Sequence, residues 1–301
     1  MKHRPCRLLS LLLAAALLTA ILGLPAYAAD QDYREHREPP RIPLEITFTE
    51  TEVSISSRDN TLRGILTMPK DTTDPVPVAV LLHGLATDRR WCDDLAWALA
   101  DNGIASVRFD YAGSGESDGT QEEMTVSSEL WDTGAMLDYV EAQSWANLDN
   151  IFFVGKSMGG VNAMLVAQNR VDEVKAVCLW YPGFGIGDTT RHGFFLGQFF
   201  FPRFPPPVLE VAGYRFGREF LREAQELEVA SACRKYTNPV LILQGDQDFI
   251  APLFYTLDLL EEFPDCTLHV IPGGGHGFWG LQELEALDAM VTFFREQIEQ
   301  P

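Results

Sequence analysis

Five residues, Gly155-Lys156-Ser157-Met158-Gly159, set a hydroxyl between two glycines at a spacing suited to nucleophilic chemistry. They follow the apolar run Ile151-Phe152-Phe153-Val154 and precede a stretch of helical character, residues 160–169. Strand, sharp turn and helix form the context in which G-x-S-x-G presents a serine at the end of a sheet. The turn leaves no room for a Cβ on either side of the serine, hence the glycines. The N-terminus of the following helix favours negative charge, which suits an oxyanion developing there.

A serine hydroxyl becomes a nucleophile only beside a base of near-neutral pKa, and that base needs a carboxylate to orient it. Of the six histidines, His3 and His36 precede the folded region, His192 falls in an insertion and His269 lies within a strand. His83 ends an early strand and reads as a brace for its loop. His276 alone follows the final strand, in Gly273-Gly274-Gly275-His276-Gly277-Phe278, where a glycine loop reaches over the sheet edge. The carboxylate is expected after the preceding strand, in Gln244-Gly245-Asp246-Gln247-Asp248, which offers two aspartates. Asp248 is the expected partner of His276, and Asp246 the expected backbone-bonding turn residue. The backbone N–H groups of Met158 and Leu85 are expected to hold the oxyanion. This chemistry requires neither a metal nor an organic cofactor, and none is expected; no Cys/His cluster has zinc spacing.

These residues need a sheet that brings their loops to one edge. Alternation between residues 44 and 66 predicts an opening antiparallel pair. Short apolar runs then recur at 78–82, 104–109, 151–154, 174–180, 240–243 and 267–271, as in a sheet covered on both faces. Helical patterns fall between them at 90–100, 126–140, 252–263 and 281–298. This alternation predicts an α/β fold with a mainly parallel sheet and right-handed crossovers. One interval breaks the rhythm, at about residues 184–235. Its first part is rich in phenylalanine (Phe184, Phe194, Phe195, Phe199) and ends in Pro205-Pro206-Pro207. Its second part, residues 214–230, reads as charged and helical. Long interruptions of a compact domain are usually functional. The expectation is a lid whose phenylalanines line a cleft, or a subdomain that packs them as its own core.

The first 28 of the 301 residues carry Lys2, Arg4 and Arg7, an apolar stretch at 8–22, and Ala26-Tyr27-Ala28. This is the pattern of a signal peptide, followed by a proline-rich flexible leader at 29–43, so export from the cytoplasm is expected without stable membrane insertion. Cleavage after Ala28 removes three basic residues and takes the formal charge from −20 to about −23. So acidic a chain is unsuited to binding nucleic acid or anionic lipid by charge. The remaining cysteines, Cys92, Cys178, Cys233 and Cys266, could pair in an oxidising compartment or remain buried thiols.

Together, His83-Gly84, the segment Arg108-Phe109-Asp110-Tyr111-Ala112-Gly113-Ser114-Gly115-Glu116-Ser117-Asp118-Gly119, the serine turn, Gly245-x-x-Asp248 and Gly275-His276 resemble the α/β-hydrolase superfamily. The resemblance covers nearly all of residues 44–299. The Phe-Asp-Tyr…Gly-x-Gly-x-Ser-Asp-Gly run followed by Met124-Thr125-Val126 is similar to bacterial cinnamoyl and feruloyl esterases. It implies an eight-stranded sheet with helices on both faces and a lid inserted after the sixth strand. It also implies a serine esterase acting on a small ester substrate, such as a plant cell-wall phenolic ester, with Phe184, Phe194, Phe195 and Phe199 shaping an aromatic-acyl pocket. The chain departs from the commonest pattern at Lys156, where histidine is usual. A lipase or short-chain acyl esterase, a monoacylglycerol-type hydrolase and a serine exo-peptidase share the same catalytic set, and a silent hydrolase-like binding protein shares the fold. Glu210, Glu219, Glu223 and Glu226 are the carboxylates an exo-peptidase would use to hold a substrate amine.

Overall fold

The computed structural model describes residues 47–72 and 75–299, and the expected signal peptide and leader lie outside them. The alternating opening segment forms an antiparallel hairpin, β1 (Phe48–Ser57) and β2 (Asn60–Pro69). Then come β3 (Val76–Leu82), α1 (Asp93–Ala100), β4 (Ala105–Phe109), α2 (Val126–Glu141), β5 (Ala146–Lys156), α3 (Met158–Ala167) and β6 (Ala176–Trp180). After the insertion the chain resumes with β11 (Val240–Gly245), α7 (Leu253–Leu259), β12 (Cys266–Ile271) and α8 (Leu281–Glu299). The insertion itself holds α4 (Ile186–Arg191), two short hairpins, β7–β8 (Phe194–Phe195, Gln198–Phe199) and β9–β10 (Val208–Val211, Tyr214–Gly217), then α5 (Arg218–Gln225) and α6 (Val229–Lys235).

The eight-stranded sheet has the order β1-β2-β4-β3-β5-β6-β11-β12. It is parallel from β4 onward and antiparallel at β1–β2 and β2–β4. Its two-residue period divides each inner strand between two cores. Val78, Val80, Leu82, Phe153, Val177, Leu179, Val240 and Ile242 join the cluster under α2, α3 and α6. Ala79, Leu81, Phe152, Val154, Cys178, Trp180, Leu241 and Leu243 join the cluster under α1 and α8. Apolar on both sides, these strands need a helix layer on each face. The parallel strands all end at one edge, and their following loops meet there.

Helix starts follow local chemistry. Thr125 caps α2 by accepting from the Ser128 amide at 3.0 Å, while Ser128 Oγ accepts from the Thr125 amide at 2.9 Å. Within the insertion the structure differs from expectation. Residues 214–217 form a strand, and the helix expected from 214 to 230 is two shorter ones, α5 and α6. The cause is Ala212-Gly213, with φ of 49° and 85°, which makes a two-residue turn and folds Tyr214–Gly217 back on Val208–Val211. Leu196-Gly197, with φ of 45° and 86°, makes the same turn in β7–β8.

Candidate active site

Ser157 sits between β5 and α3 with φ 54° and ψ −117°. A positive φ at a non-glycine residue costs on the order of 1–3 kcal/mol and persists only where its surroundings enforce it. Here the Ser157 amide donates to the Trp180 carbonyl at 2.9 Å. The Ser157 carbonyl accepts from the amides of Gly160 and Gly183, both at 3.0 Å. Crowding explains the flanking glycines: a Cβ on Gly155 would lie 2.3 Å from the Gly159 carbonyl oxygen, and one on Gly159 would lie 2.2 Å from that of Leu82.

Two further loops converge on this hydroxyl. His276 Nε2 lies 3.0 Å from Ser157 Oγ, and His276 Nδ1 lies 2.8 Å from Asp248 Oδ2. An ionised carboxylate only accepts, so Nδ1 carries the proton and Nε2 offers its lone pair to the hydroxyl. Asp248 is buried but well satisfied. Its Oδ1 accepts from the amides of Ile250 at 2.9 Å and Ala251 at 2.8 Å, and Gln244 Nε2 donates to Oδ2 at 3.3 Å. Asp246 does not make the within-turn backbone bonds expected of it; those belong to Asp248, and Asp246 instead accepts from the Gly273 amide at 2.7 Å, tying the acid loop to the histidine loop.

Met158 opens α3, so its N–H belongs to the first helical turn, where amides lack intrahelical acceptors. Leu85 follows Gly84, whose backbone rests on the elbow: a Cβ at Gly84 would lie 3.0 Å from Ser157 Cβ. His83 braces this loop. Its Nδ1–H donates to the Gly84 carbonyl at 2.9 Å, and its Nε2 accepts from the Tyr111 amide at 3.2 Å. Burial pushes its pKa down, in keeping with a neutral ring.

The insertion aromatics divide. Phe184 is buried 6.4 Å from Phe263 and borders a cavity of about 160 Å³ with Asp188, Arg191, Leu227 and Tyr255. Phe194 and Phe199 pair at 5.0 Å on the β7–β8 hairpin, with Phe199 largely exposed. Phe195 does not line a cleft. It is 1% exposed and packs 5.0 Å from Phe216 and 5.7 Å from Phe220, because the strand period sends it to the side opposite Phe194.

Sequence reasoning missed Tyr181. Buried, with φ 37°, it lies 5.0 Å from both His276 and Phe278, while its amide donates to the Leu243 carbonyl at 2.7 Å. Its place directly after β6, at the edge where the loops meet, was the available signal. It also missed Glu129 on α2, a buried carboxyl that accepts from Asn162 Nδ2 of α3 at 2.9 Å. Burial pushes its pKa up to about 8. The four cysteines of the described residues are unpaired thiols.

Comparison with known proteins bears on the family and the fold. A family model described as serine aminopeptidase, S33, matches residues 73–208. Est1E from Butyrivibrio proteoclasticus, in a structure with ferulic acid bound, is 31% identical and superposes with a TM-score of 0.78, covering 82% of this chain and 100% of that one. The Salmonella typhimurium protein YfhR is 27% identical over 224 residues, 73% of this chain and 72% of that protein. Mouse alpha/beta hydrolase domain-containing protein 10, at 19% identity and a TM-score of 0.64, covers 83% of this chain and 98% of its own, and shares the fold. With its eight-stranded sheet, its G-x-S-x-G turn and a relative of 31% identity along its length, the chain belongs to the α/β-hydrolase superfamily and is a hydrolase of that fold.

Proposed function

We propose that the protein is a serine esterase that cleaves carboxylic esters through an acyl-enzyme, with Ser157 as nucleophile, His276 as base and acid, and Asp248 as orienting carboxylate. The observation that carries the reading is the unbroken path from Asp248 Oδ2 through the imidazole to Ser157 Oγ, at 2.8 and 3.0 Å, on a turn held at positive φ. His276 Nε2 takes the hydroxyl proton as Oγ attacks the ester carbonyl. The amides of Met158 and Leu85 bond the tetrahedral oxyanion, and Asp248 stabilises the imidazolium. The imidazolium then protonates the leaving alcohol. Water repeats the sequence on the acyl-enzyme and releases the acid.

For the acyl group we propose an aromatic, cinnamoyl- or feruloyl-type acid. Support comes from the ferulic acid held by Est1E and from the phenylalanines Phe184, Phe194 and Phe199 in the insertion after β6. An exo-peptidase would need insertion carboxylates free to hold an amine. Glu219 is instead paired with Arg222 at 2.9 Å, Glu210 lies 3.6 Å from Arg215, and Glu223 accepts from the Ser127 amide at 2.6 Å, which leaves Glu226, at the end of α5, as the carboxylate of the four on which a peptidase reading would rest. The proposed place of action is outside the cytoplasm, after cleavage near Ala28.

The test is a hydrolysis panel of methyl ferulate, p-nitrophenyl butyrate, a monoacylglycerol and proline p-nitroanilide. A kcat/KM for methyl ferulate at least tenfold above the others, ~1.4 kcal/mol of discrimination, is the expected outcome. Preference for the butyrate or the monoacylglycerol would move the substrate to aliphatic esters, and preference for the anilide would make the chain a peptidase.

A further inference from the structure

Lys156 precedes the nucleophile, yet its charged side chain is only 4% exposed. Its Nζ donates to the Trp91 carbonyl at 2.6 Å and lies 5.4 and 5.3 Å from the ring centroids of Trp91 and Trp180. Trp91 belongs to the short 3₁₀ turn Arg89–Cys92, which follows the loop leaving β3. Its ring rests on that loop: a Cβ on Gly84 would lie 2.7 Å from Trp91 Cζ3, 3.0 Å from Ser157 Cβ and 3.2 Å from the Lys156 carbonyl oxygen. The Trp91 ring, Ser157 Cβ and the Lys156 carbonyl thus all crowd the same side of Gly84. Trp91 also meets Tyr181 at 5.8 Å, and Tyr181 meets His276 at 5.0 Å.

Burying an ammonium is costly, and an apolar residue of similar length would fill this space without that cost. Desolvation accordingly lowers the pKa of Lys156. The carboxylates facing it are Asp93 and Asp94 at α1 and Glu283 on α8; Cys92, its thiol pushed up to about 11, adds no charge, and Tyr181 lines the adjoining cavity with it. A cavity of about 50 Å³, lined by Trp91, Asp94, Lys156, Trp180, Trp279 and Glu283 among others, adjoins it. Packing alone does not require an amine here, but donation to the Trp91 carbonyl does. The hydrogen bond fixes the turn's backbone, and Nζ stands over the indole faces of Trp91 and Trp180.

We propose that Lys156 is a positioning residue: by clamping Trp91 against Gly84 it sets the Gly84-Leu85 backbone relative to Ser157 Oγ and so aligns the oxyanion-binding amide. This rests on the acyl transfer proposed above. Because that amide meets full negative charge only after attack, its alignment acts on the tetrahedral state more than on bound ester.

The test compares the full chain with Lys156→Met, Lys156→Arg, Trp91→Leu and the double variant Lys156→Met/Trp91→Leu. Each is measured for kcat per fluorophosphonate-titrated site, KM, labelling rate and thermal midpoint. Lys156→Met is expected to lose ~10–100-fold in kcat and in labelling rate, as for a misaligned donor, with KM within about twofold. Its thermal midpoint is expected to equal or exceed that of the parent chain. Lys156→Arg, which keeps charge and donors and has the adjoining cavity to enter, restores most of the rate. Trp91→Leu loses as much as Lys156→Met, and the double variant no more than either. Unchanged kcat per titrated site in Lys156→Met, or losses in the two single variants that multiply, would overturn the clamp. Should Lys156→Met fail to fold, unchanged kcat per site in Trp91→Leu would overturn it equally. A parent chain that fluorophosphonate does not label overturns the reading of Ser157 and the clamp with it, whereas normal labelling with unaffected variants overturns the clamp alone.

Discussion

The elbow edge of the sheet and the insertion after β6 both combine glycines with aromatic rings, and they use them in opposite ways. At the elbow, glycines exist because backbone crowds backbone, and Trp91, Tyr181 and Phe278 pack about the catalytic loops rather than offering an open surface. In the insertion, Gly197 and Gly213 turn two short hairpins, and the rings split between an inner set, Phe195, Phe216 and Phe220, and an outer set in which Phe199, Phe201 and Phe204 are largely exposed. The first region is over-determined and suited to holding a reactive geometry. The second has one small core and a changeable outer surface, which suits a part that sets specificity. In the function proposed above, chemistry belongs to the first region and selectivity to the second.

The sharpest way to break that division is at the acid loop. Asp248→Asn should leave the carboxamide in place but lose the acceptor that fixes the imidazole tautomer, lowering kcat by ~10³–10⁴-fold. Asp246→Asn, which touches only the loop-to-loop bond at Gly273, should cost less than about tenfold. Steady-state kinetics of the two variants checks this, and equal losses would mean that Asp248 has no role beyond its neighbour's. In the insertion, Phe195→Ala removes a fully buried ring and should destabilise that region by ~3–5 kcal/mol. Hydrogen exchange should quicken in α5 and the two hairpins while β5 and α3 stay protected, and KM should rise more than kcat falls. A matching loss of protection at the elbow would show the regions to be one cooperative unit.

A smaller effect concerns the face that carries α3. The carboxyl of Glu129 ionises at about 8 when folded, above its ordinary value of 4.5, because burial disfavours its charged form. Between those values the unfolded chain releases a proton that the folded chain retains, so this group's contribution to stability is full below pH 4.5 and declines as pH rises toward 8. Glu129→Gln, which can keep accepting from Asn162, should gain stability relative to the parent chain by up to a few kcal/mol as pH goes from 5 to 8. Thermal midpoints across that range check it, and a constant offset would contradict it.

Much of this was legible in the chain itself, and for physical reasons. Strands apolar on both faces announce a covered sheet, and the order Ser157, Asp248, His276 places three loops at one edge. Spacing favoured Asp248 over Asp246 but could not decide between them, because Asp248 does both jobs: one oxygen accepts the turn amides of Ile250 and Ala251 and the other faces His276. The insertion was less legible because its strands are two or four residues long, too short for a period to show. Ala212 and Leu196 adopt positive φ without the residue types that signal it, so the strand at Tyr214–Gly217 read as part of a helix. Tyr181 and Trp91 matter through what they touch, which no spacing encodes.

The most direct test is to trap the enzyme with a fluorophosphonate and map the adduct by peptide mass spectrometry, in the parent chain and in Ser157→Ala, alongside the pre-steady-state burst with an ester. The expected result is one adduct on Ser157, with both adduct and burst absent in Ser157→Ala. An adduct on another residue, or a burst that survives the substitution, would contradict the account.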